Sequence, residues 1–524
     1  MDEYIFGANI LENLTTGMYK DSKVSYREYI QNACDQIDKA VKFGILPSTE
    51  SGQIQIWLSE EDRTISIEDN ATGIKKSEFE ATLANIADSN KQIGEDKGFR
   101  GIGRLCGLAY CRELVFTTTA TGENVICEMR CNAQKMRDLL NRNISGEKFT
   151  ASQVLHEIYS FNYRTVTGIE SEHWFKVELI DVNDENTDLL DFAQVKNYLS
   201  FTAPVPYKNT FIYQSEIYNH AKELGYRFDE YSIKLNGEDV FKNYQTDFKT
   251  SKGDDSIFGI EFKDFYDDHG NLIMWLWFGV SQFKAIISKD CEMRGLRLRK
   301  ENIQIGNEDA LQKLFKEDRG QHYFVGEVFA VSKHLIPNSQ RDYFNENSTR
   351  VWFEKEIRRY FKDSLTKVYY GGSKVNSSFK AIDEYERKVI EHQEKTNNKD
   401  YVDPNHAALA VENIKKAESE AEKAQKEIEK LKSNDDSEAN RVLQRVVKRI
   451  EDEREKDKRK SGKTKKTTIK IPEQQKKATH RTDKLCRCNN KERKLIGKVY
   501  NIIINNVDNE TAEMLISKIE EEFK

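Results

Sequence analysis

No segment of this 524-residue chain is apolar for long enough to cross a bilayer as a helix. The longest apolar run, Leu272 to Val280, has nine residues where a spanning helix needs about 20, so it reads as a buried strand. The first 30 residues lack a basic start followed by an apolar stretch, so no secretory signal is expected. A soluble, cytoplasmic protein with no membrane partner is the expectation. Apolar residues are sparse at 38%, against 32% charged, which excludes a chain that is globular throughout and predicts some solvated helix or linker. The eight cysteines (Cys34, Cys106, Cys111, Cys127, Cys131, Cys291, Cys486 and Cys488) are scattered, so free thiols in a reducing compartment are expected. Cys486 and Cys488, with His480 nearby, lack the C-x2-C spacing and the four ligands that a zinc site uses. A strong overall charge is also missing: the net value of −6 argues neither for nor against nucleic acid until its distribution is known.

What is present points to an α+β protein of several domains, as the length requires. Residues 1–205 mix strands such as Gln53–Leu58, Thr64–Ile67, Leu114–Thr119 and Phe175–Ile180 with helical spacing over Ser25–Phe43 and Lys75–Ile86. Residues 206–375 form a second α/β region, containing the tryptophan-rich run, the segment Arg297–Ile305 and the strand Gly326–Val331. Residues 376–456 are helical. From Ala407, apolar residues fall at 407, 410, 414, 417, 421, 424, 428 and 431, a coiled-coil pattern with a mostly alanine seam. Ser433–Ser437 interrupts it, and a second amphipathic helix is predicted over Glu438–Lys456, so an intramolecular hairpin and an intermolecular coil are both open. Residues 457–484 read as a basic linker: from 454 to 484 there are 13 Lys or Arg against four Asp or Glu, a local net of +9. Residues 485–524 read as a small helical unit whose last helix begins at Asp508-Asn509.

Three segments carry chemistry. In Arg27-Glu-Tyr-Ile-Gln-Asn-Ala-Cys-Asp35, the residues Glu28, Asn32 and Asp35 are spaced i, i+4, i+7 and share one helix face. A carboxylate can orient or deprotonate a water, and a carboxamide oxygen is a hard ligand for Mg²⁺. Alone, such a stripe fits an ordinary surface helix better than a catalytic site. In Ile65-Ser-Ile-Glu-Asp-Asn-Ala-Thr-Gly-Ile74, Asp69 at a strand end can accept from an exocyclic amine such as that of adenine, and Gly73 lets the backbone turn beside a ligand. Lys97-Gly-Phe-Arg-Gly-Ile-Gly-Arg-Leu-Cys-Gly107, preceded by Ser89-Asn-Lys91, carries Gly98, Gly101 and Gly103 ahead of an apolar helical segment. Backbone N–H groups of such a loop bind phosphate oxygens. The run does not follow a first strand and no Gly-Lys-Ser/Thr follows it, which excludes a dinucleotide fold and a Walker P-loop.

The order Glu-x-x-x-Asn-x-x-Asp, Asp-x-x-x-Gly, glycine-rich lid resembles the GHKL ATPases: gyrase, the ninety-kilodalton heat-shock chaperones, histidine kinases, MutL and the MORC proteins. The resemblance implies a Bergerat-type α/β sandwich. It makes Glu28 the general base, Asn32 the Mg²⁺ ligand, and Asp69 the reader of adenine with Gly73 beside it. Asp35 would support the pocket, and Ser89, Lys91, Gly98, Gly101 and Gly103 would close over the phosphates of ATP. Two departures stand out: Ala71 replaces the usual first glycine, and the threonine expected on a late strand is not obvious around His173-Trp174-Phe175. Leu335-Ile-Pro-Asn-Ser-Gln-Arg-Asp342 resembles the middle-domain loop of the chaperones, which makes Arg341 the residue that reaches the γ-phosphate and residues 206–375 a transducer. No upstream segment with a phosphoacceptor histidine argues for a kinase.

Relatives with a transducer act as ATP-gated dimeric clamps, and residues 1–24, with Ile5, Phe6, Ile10 and Leu11, are apolar enough for a strap across a partner. Three things could be held. DNA is suggested by the basic linker and by Arg294, Arg297, Arg299 and Lys300; a protein client is the chaperone-like alternative. The third is an effector protein gated through residues 375–524, as in a bacterial antiviral defence system.

Overall fold

The computed structural model describes the chain except residues 1–5, 16, 18–20, 87–100, 399, 434–436, 461–484, 486–489 and 524. The protein is α+β. Its first sheet has eight strands: β1 (Gln53–Ser59), β2 (Thr64–Asp69), β3 (Cys111–Thr119), β4 (Val125–Asn132), β5 (Tyr159–Thr165), β6 (Trp174–Val182), β7 (Ser232–Leu235) and β8 (Glu238–Asp239). They lie in the order β5-β4-β3-β6-β2-β1-β7-β8, antiparallel except for β1 beside β7. Alternation decides the faces. Ile54 and Ile56 of β1 and Ile65 and Ile67 of β2 are buried, whereas Gln53 and Trp57 face outward. The helices of this region are α1 (Asn9–Leu14), α2 (Val24–Lys42), α3 (Lys76–Ala84), α4 (Ala133–Ile144), α5 (Ala151–Ile158) and α6 (Phe192–Thr202). Ile30, Ala33, Ile37 and Ala40 of α2 recur at helical spacing and are buried in the same core as the β1 and β2 isoleucines. The sheet does not stop at residue 205: β7 returns from beyond that point and pairs Ile233 with Ile54.

Of the expected strap, Ile5 lies outside the described residues. Residues 6–14 lie on their own domain: Ala8 N donates to Phe149 O at 3.0 Å, Ala151 N to Phe6 O at 2.9 Å, and Leu11 is buried. Phe6 and Ile10 stay exposed.

The second region contains α7 (Gln214–Glu223), a ribbon of β9 (Asp247–Thr250) and β10 (Gly253–Ser256), and a five-stranded sheet. That sheet is built from β11 (Gly259–Tyr266), β12 (Leu272–Val280), β13 (Gly295–Lys300), β14 (Ile303–Gln304) and β15 (Val325–Ala330), in the order β11-β12-β15-β13-β14. The tryptophan-rich run is β12, central and buried along nearly its whole length. Arg297–Ile305 is not one strand: it folds into the β13–β14 hairpin, with Glu301 and Asn302 both left-handed at φ 53° and 59°.

One sequence-based inference is overturned here. Arg297, Arg299 and Lys300 do not offer a basic surface, because all three are buried. Arg299 pairs with Glu327 and donates to Phe201 O at 2.8 Å. Lys300 donates to Ser332 O at 2.9 Å, and Arg297 stacks 4.4 Å from the Phe201 ring centre. Their partners sit on β15, on α6 and in the loop after β15, so their charge is spent inside the fold.

Helix α8 (Ser348–Tyr360) passes through a π turn at Phe361–Leu365 into α9 (Thr366–Asn398), which is followed by α10 (Pro404–Ser433) and α11 (Glu438–Lys460). The alanine seam of α10 has an intramolecular partner: α10 packs on α9, burying Ala417, Ala421, Ala424 and Ile428. Val442, Val446, Val447 and Ile450 of α11 join the core beneath the five-stranded sheet. Residues 454–524 form a separate compact unit in which α12 (Asn490–Asn506) and α13 (Asn509–Glu522) pack around Leu485, Tyr500 and Ile516. Asp508 caps α13 by accepting from Thr511 N at 3.0 Å. Among the described residues no helix is long and apolar enough to cross a membrane. The six cysteines described are free thiols; Cys486, Cys488 and His480 lie outside the described residues.

Candidate functional site

A cavity of about 900 Å³ opens between α2, the β2–α3 turn, the segment at Gly101–Arg104 and the loop that follows β15. Glu28, Asn32, Asp69, Gly73, Gly101, Gly103 and Arg341 all line it. Asp35 does not: it is buried (3% exposed) behind the wall, and its carboxylate acts on Arg341 through space. Ser89, Lys91 and Gly98 lie outside the described residues.

The base-sized end lies over the sheet. Asp69, at the last position of β2, is 4% exposed and faces the cavity. Burial pushes its carboxyl up to about 7, although Ala71 N, donating at 3.0 Å, pulls the other way. Ala71 is fully buried and is not left-handed, so a glycine is not required there. The turn is made at Gly73 instead, with φ +60°, where a Cβ would come within 1.9 Å of Thr119 O. No side chain fits at that position. Thr118 fixes the turn, accepting from Ile74 N at 3.0 Å and donating to Trp174 O at 2.7 Å. His173 binds the carbonyl of Ala71 at 2.6 Å. Phe175, on the late strand, pairs with Asp69 across β2–β6, and its ring lies 6.0 Å from that of Phe116. Two phenylalanines therefore line the floor where a threonine was sought.

The other end is polar. Glu28 is 9% exposed and Asn32 half-buried, both on the cavity face of α2. Gly103 begins a 3₁₀ segment, Gly103–Ala109, that passes so close to Glu28 that a Cβ would sit 2.5 Å from Oε2. Tyr29, on α2, holds that segment by accepting from Gly107 N and donating to Arg104 O, each at 3.0 Å. Arg341 enters from the second region. It is 5% exposed and left-handed at φ 52°, and burial lowers its pKa while the Glu28 and Asp35 carboxylates oppose that. Among the described residues there is no group of three or more His, Cys, Asp or Glu that could hold a metal; the oxygen-bearing side chains at this end include Glu28 and Asn32.

Residues 24–165 match the family described as histidine kinase-, DNA gyrase B- and HSP90-like ATPase. The chain carries a GHKL ATPase domain. Similar curated proteins include the chaperone protein HtpG of Halalkalibacterium halodurans, 29% identical over 129 residues, which is 22% of this chain and 21% of that protein. HtpG of Psychrobacter arcticus is 26% identical over 167 residues (28% and 25%), and HtpG of Fusobacterium nucleatum is 30% identical over 105 residues (18% and 17%). The matches thus span about a quarter or less of the relatives' length. The GHKL match ends before β6, so Phe175, Val177 and Arg341 complete the cavity from outside it. Sequence reasoning missed Thr118, Tyr29, His173, Phe116 and the role of Phe175. The run Thr117-Thr-Thr119 was the one available signal, three hydroxyls in a strand that must find partners when buried.

Proposed function

We propose that this protein is an ATP hydrolase whose turnover drives a dimeric clamp. The observation that carries it is the single cavity lined by Glu28, Asn32, Asp69, Gly73, Gly101, Gly103 and Arg341. Asp69 accepts the exocyclic amine of adenine, and Phe116 and Phe175 pack on the base. Asn32 would hold Mg²⁺, which would supply positive charge against the phosphates when bound. Glu28 orients the attacking water and takes its proton. Arg341 stabilises the charge on the transferring phosphoryl group, as an arginine supplied by a neighbouring region does in other phosphoryl-transfer enzymes. Ser89, Lys91 and Gly98, with Gly101 and Gly103, close over the phosphates, and Asp35 helps to hold Arg341. ATP favours the closed homodimer by binding it better than the open form, and hydrolysis reverses that bias.

For what the clamp holds, two readings each have one observation. DNA is supported by the +9 charge of residues 454–484, and of the basic strand only the half-buried Arg294 is left beside that segment because Arg297, Arg299 and Lys300 are buried. A protein client is supported by the similarity to HtpG chaperones. Control of an effector, including one in antiviral defence, would use the helical region after residue 375. Steady-state ATP hydrolysis of wild type and Glu28→Ala, with and without duplex DNA at low and high salt, tests the set. The expectation is hydrolysis abolished by Glu28→Ala and stimulated by DNA in a salt-sensitive way. Undiminished hydrolysis in Glu28→Ala contradicts the catalytic assignment, and a rate indifferent to DNA removes that partner.

A further inference from the structure

Arg27 precedes Glu28 on α2 and has no part in the chemistry above. It is 5% exposed. Successive helical side chains point about 100° apart, so the two leave the same turn in different directions. Glu28 lines the nucleotide cavity, whereas Arg27 lines a second cleft, of about 910 Å³, on the other side. The facing loop repeats this alternation: Ser339 and Arg341 line the nucleotide cavity, and Gln340 and Asp342 line the cleft. The wall between the two spaces is therefore one helical turn against one loop. Arg27 ties them together: Nη2 donates to Gln340 O at 3.0 Å and lies 3.4 Å from Glu28 Oε1.

The loop needs such a tie. Arg341 is left-handed, a conformation that a non-glycine residue keeps only when its surroundings impose it. Gly306 N donates to Arg341 O at 2.8 Å, Arg341 N donates to Asn338 O at 3.1 Å, and Pro337 pairs with Phe344 across the base of the loop. Gly306 itself, with φ +67°, permits the approach: a Cβ there would come 2.6 Å from Asp342 O. These contacts set the shape of the loop. The Arg27 bond joins that shape to the helix bearing Glu28.

We propose that Arg27 is a positioning residue that locks Glu28 and Arg341 into one alignment from the face of the wall that nucleotide does not touch. A charged donor shared between a carboxylate and a carbonyl is directional, and it acts here on both halves of the reaction at once. The inference rests on the ATPase reading above. It adds that alignment of the two regions is held at Gln340 O, so losing Arg27 should slow the chemical step while leaving nucleotide affinity intact.

The test uses the full chain with Arg27→Met, which keeps length but no donor, and Arg27→Lys, which keeps the charge but reaches one partner at a time. ATP affinity, kcat and thermal unfolding are measured for each, and Arg27→Met is combined with Arg341→Ala. Misplacing reacting groups by about 1 Å costs on the order of 100-fold, so Arg27→Met should lose about 30- to 100-fold in kcat with ATP affinity within about threefold. Arg27→Lys should fall between Arg27→Met and wild type, and it serves as the readout if Arg27→Met does not fold. The double variant should be slower than Arg341→Ala alone by clearly less than the factor Arg27→Met costs in wild type, because only the Glu28 half of the alignment is left to lose. A wild-type kcat in Arg27→Met, or losses that multiply in the double variant, overturns the proposal. If Glu28→Ala is inactive while Arg27→Met is fully active, only the positioning role falls; if Glu28→Ala is fully active, the ATPase assignment falls first.

Discussion

Gly103→Ala should separate catalysis from stability. A Cβ at Gly103 would lie 2.5 Å from Glu28 Oε2 and 3.4 Å from its Cδ, whereas ordinary contact begins near 3.4 Å, so something must yield by about 0.9 Å. The 3₁₀ segment is the firmer party, since Tyr29 pins it through Gly107 N and Arg104 O. The carboxylate, the end of a side chain, moves instead. A displacement of about 1 Å at a reacting group costs on the order of 100-fold, or about 2.7 kcal/mol of barrier. Stability should go the other way. Gly103 is not left-handed, and alanine in a helical segment is favoured over glycine by about 0.5–1 kcal/mol. Steady-state hydrolysis and thermal unfolding of the same preparation read both effects: kcat down about 100-fold, Tm unchanged or slightly higher. A wild-type kcat at unchanged Tm would refute the reasoning, because it would mean that the position of Glu28 does not matter to the reaction.

The remaining predictions concern charge. Burial raises Asp69 to about 7, and accepting an amine calls for the ionised form, so ATP affinity should weaken as pH falls through about 7 and flatten in Asp69→Asn. For folding the sign is the reverse: between 3.8 and about 7 the folded carboxyl keeps a proton that the unfolded chain has lost, so this group lowers stability as pH rises across that window. Glu327 is fully buried among Arg299, Lys242, Tyr207 and Trp277, and those cations hold its carboxyl down to about 2 despite burial. Glu327→Gln should cost about 3–5 kcal/mol in denaturant unfolding by leaving two buried cations without their anion, and a loss below about 1 kcal/mol would contradict that account.

How much of this was readable in advance depends on whether the cause was local. Glu28 and Asn32 share a face because i and i+4 must, and Asp69 and Gly73 are neighbours in one turn. Asp35, at i+7, was read as supporting the pocket, but the cavity runs on past it to Gln36 and Lys39 while Asp35 stays buried behind the wall and acts on Arg341 through space. Arg299 looked like a surface charge because its counter-ion, Glu327, lies on another strand. β7 reaches the first sheet from about 180 residues away, a pairing that no local pattern announces. Gly371 and Gly372 lie inside α9 because the missing side chains make room: a Cβ at Gly371 would come 2.4 Å from Leu443, and one at Gly372 2.7 Å from Phe283. The heptads of α10 mark an apolar face but not what covers it, so its intramolecular partner, α9, was not legible from them.

The central claim is that one ATP site is completed by an arginine from outside the GHKL domain. Single-turnover hydrolysis of pre-bound ATP by Arg341→Ala tests it most directly. The account predicts ATP bound nearly as in wild type and hydrolysed roughly 10³-fold more slowly, the scale of losing a transition-state arginine. Hydrolysis of the bound ATP at the wild-type rate would contradict it.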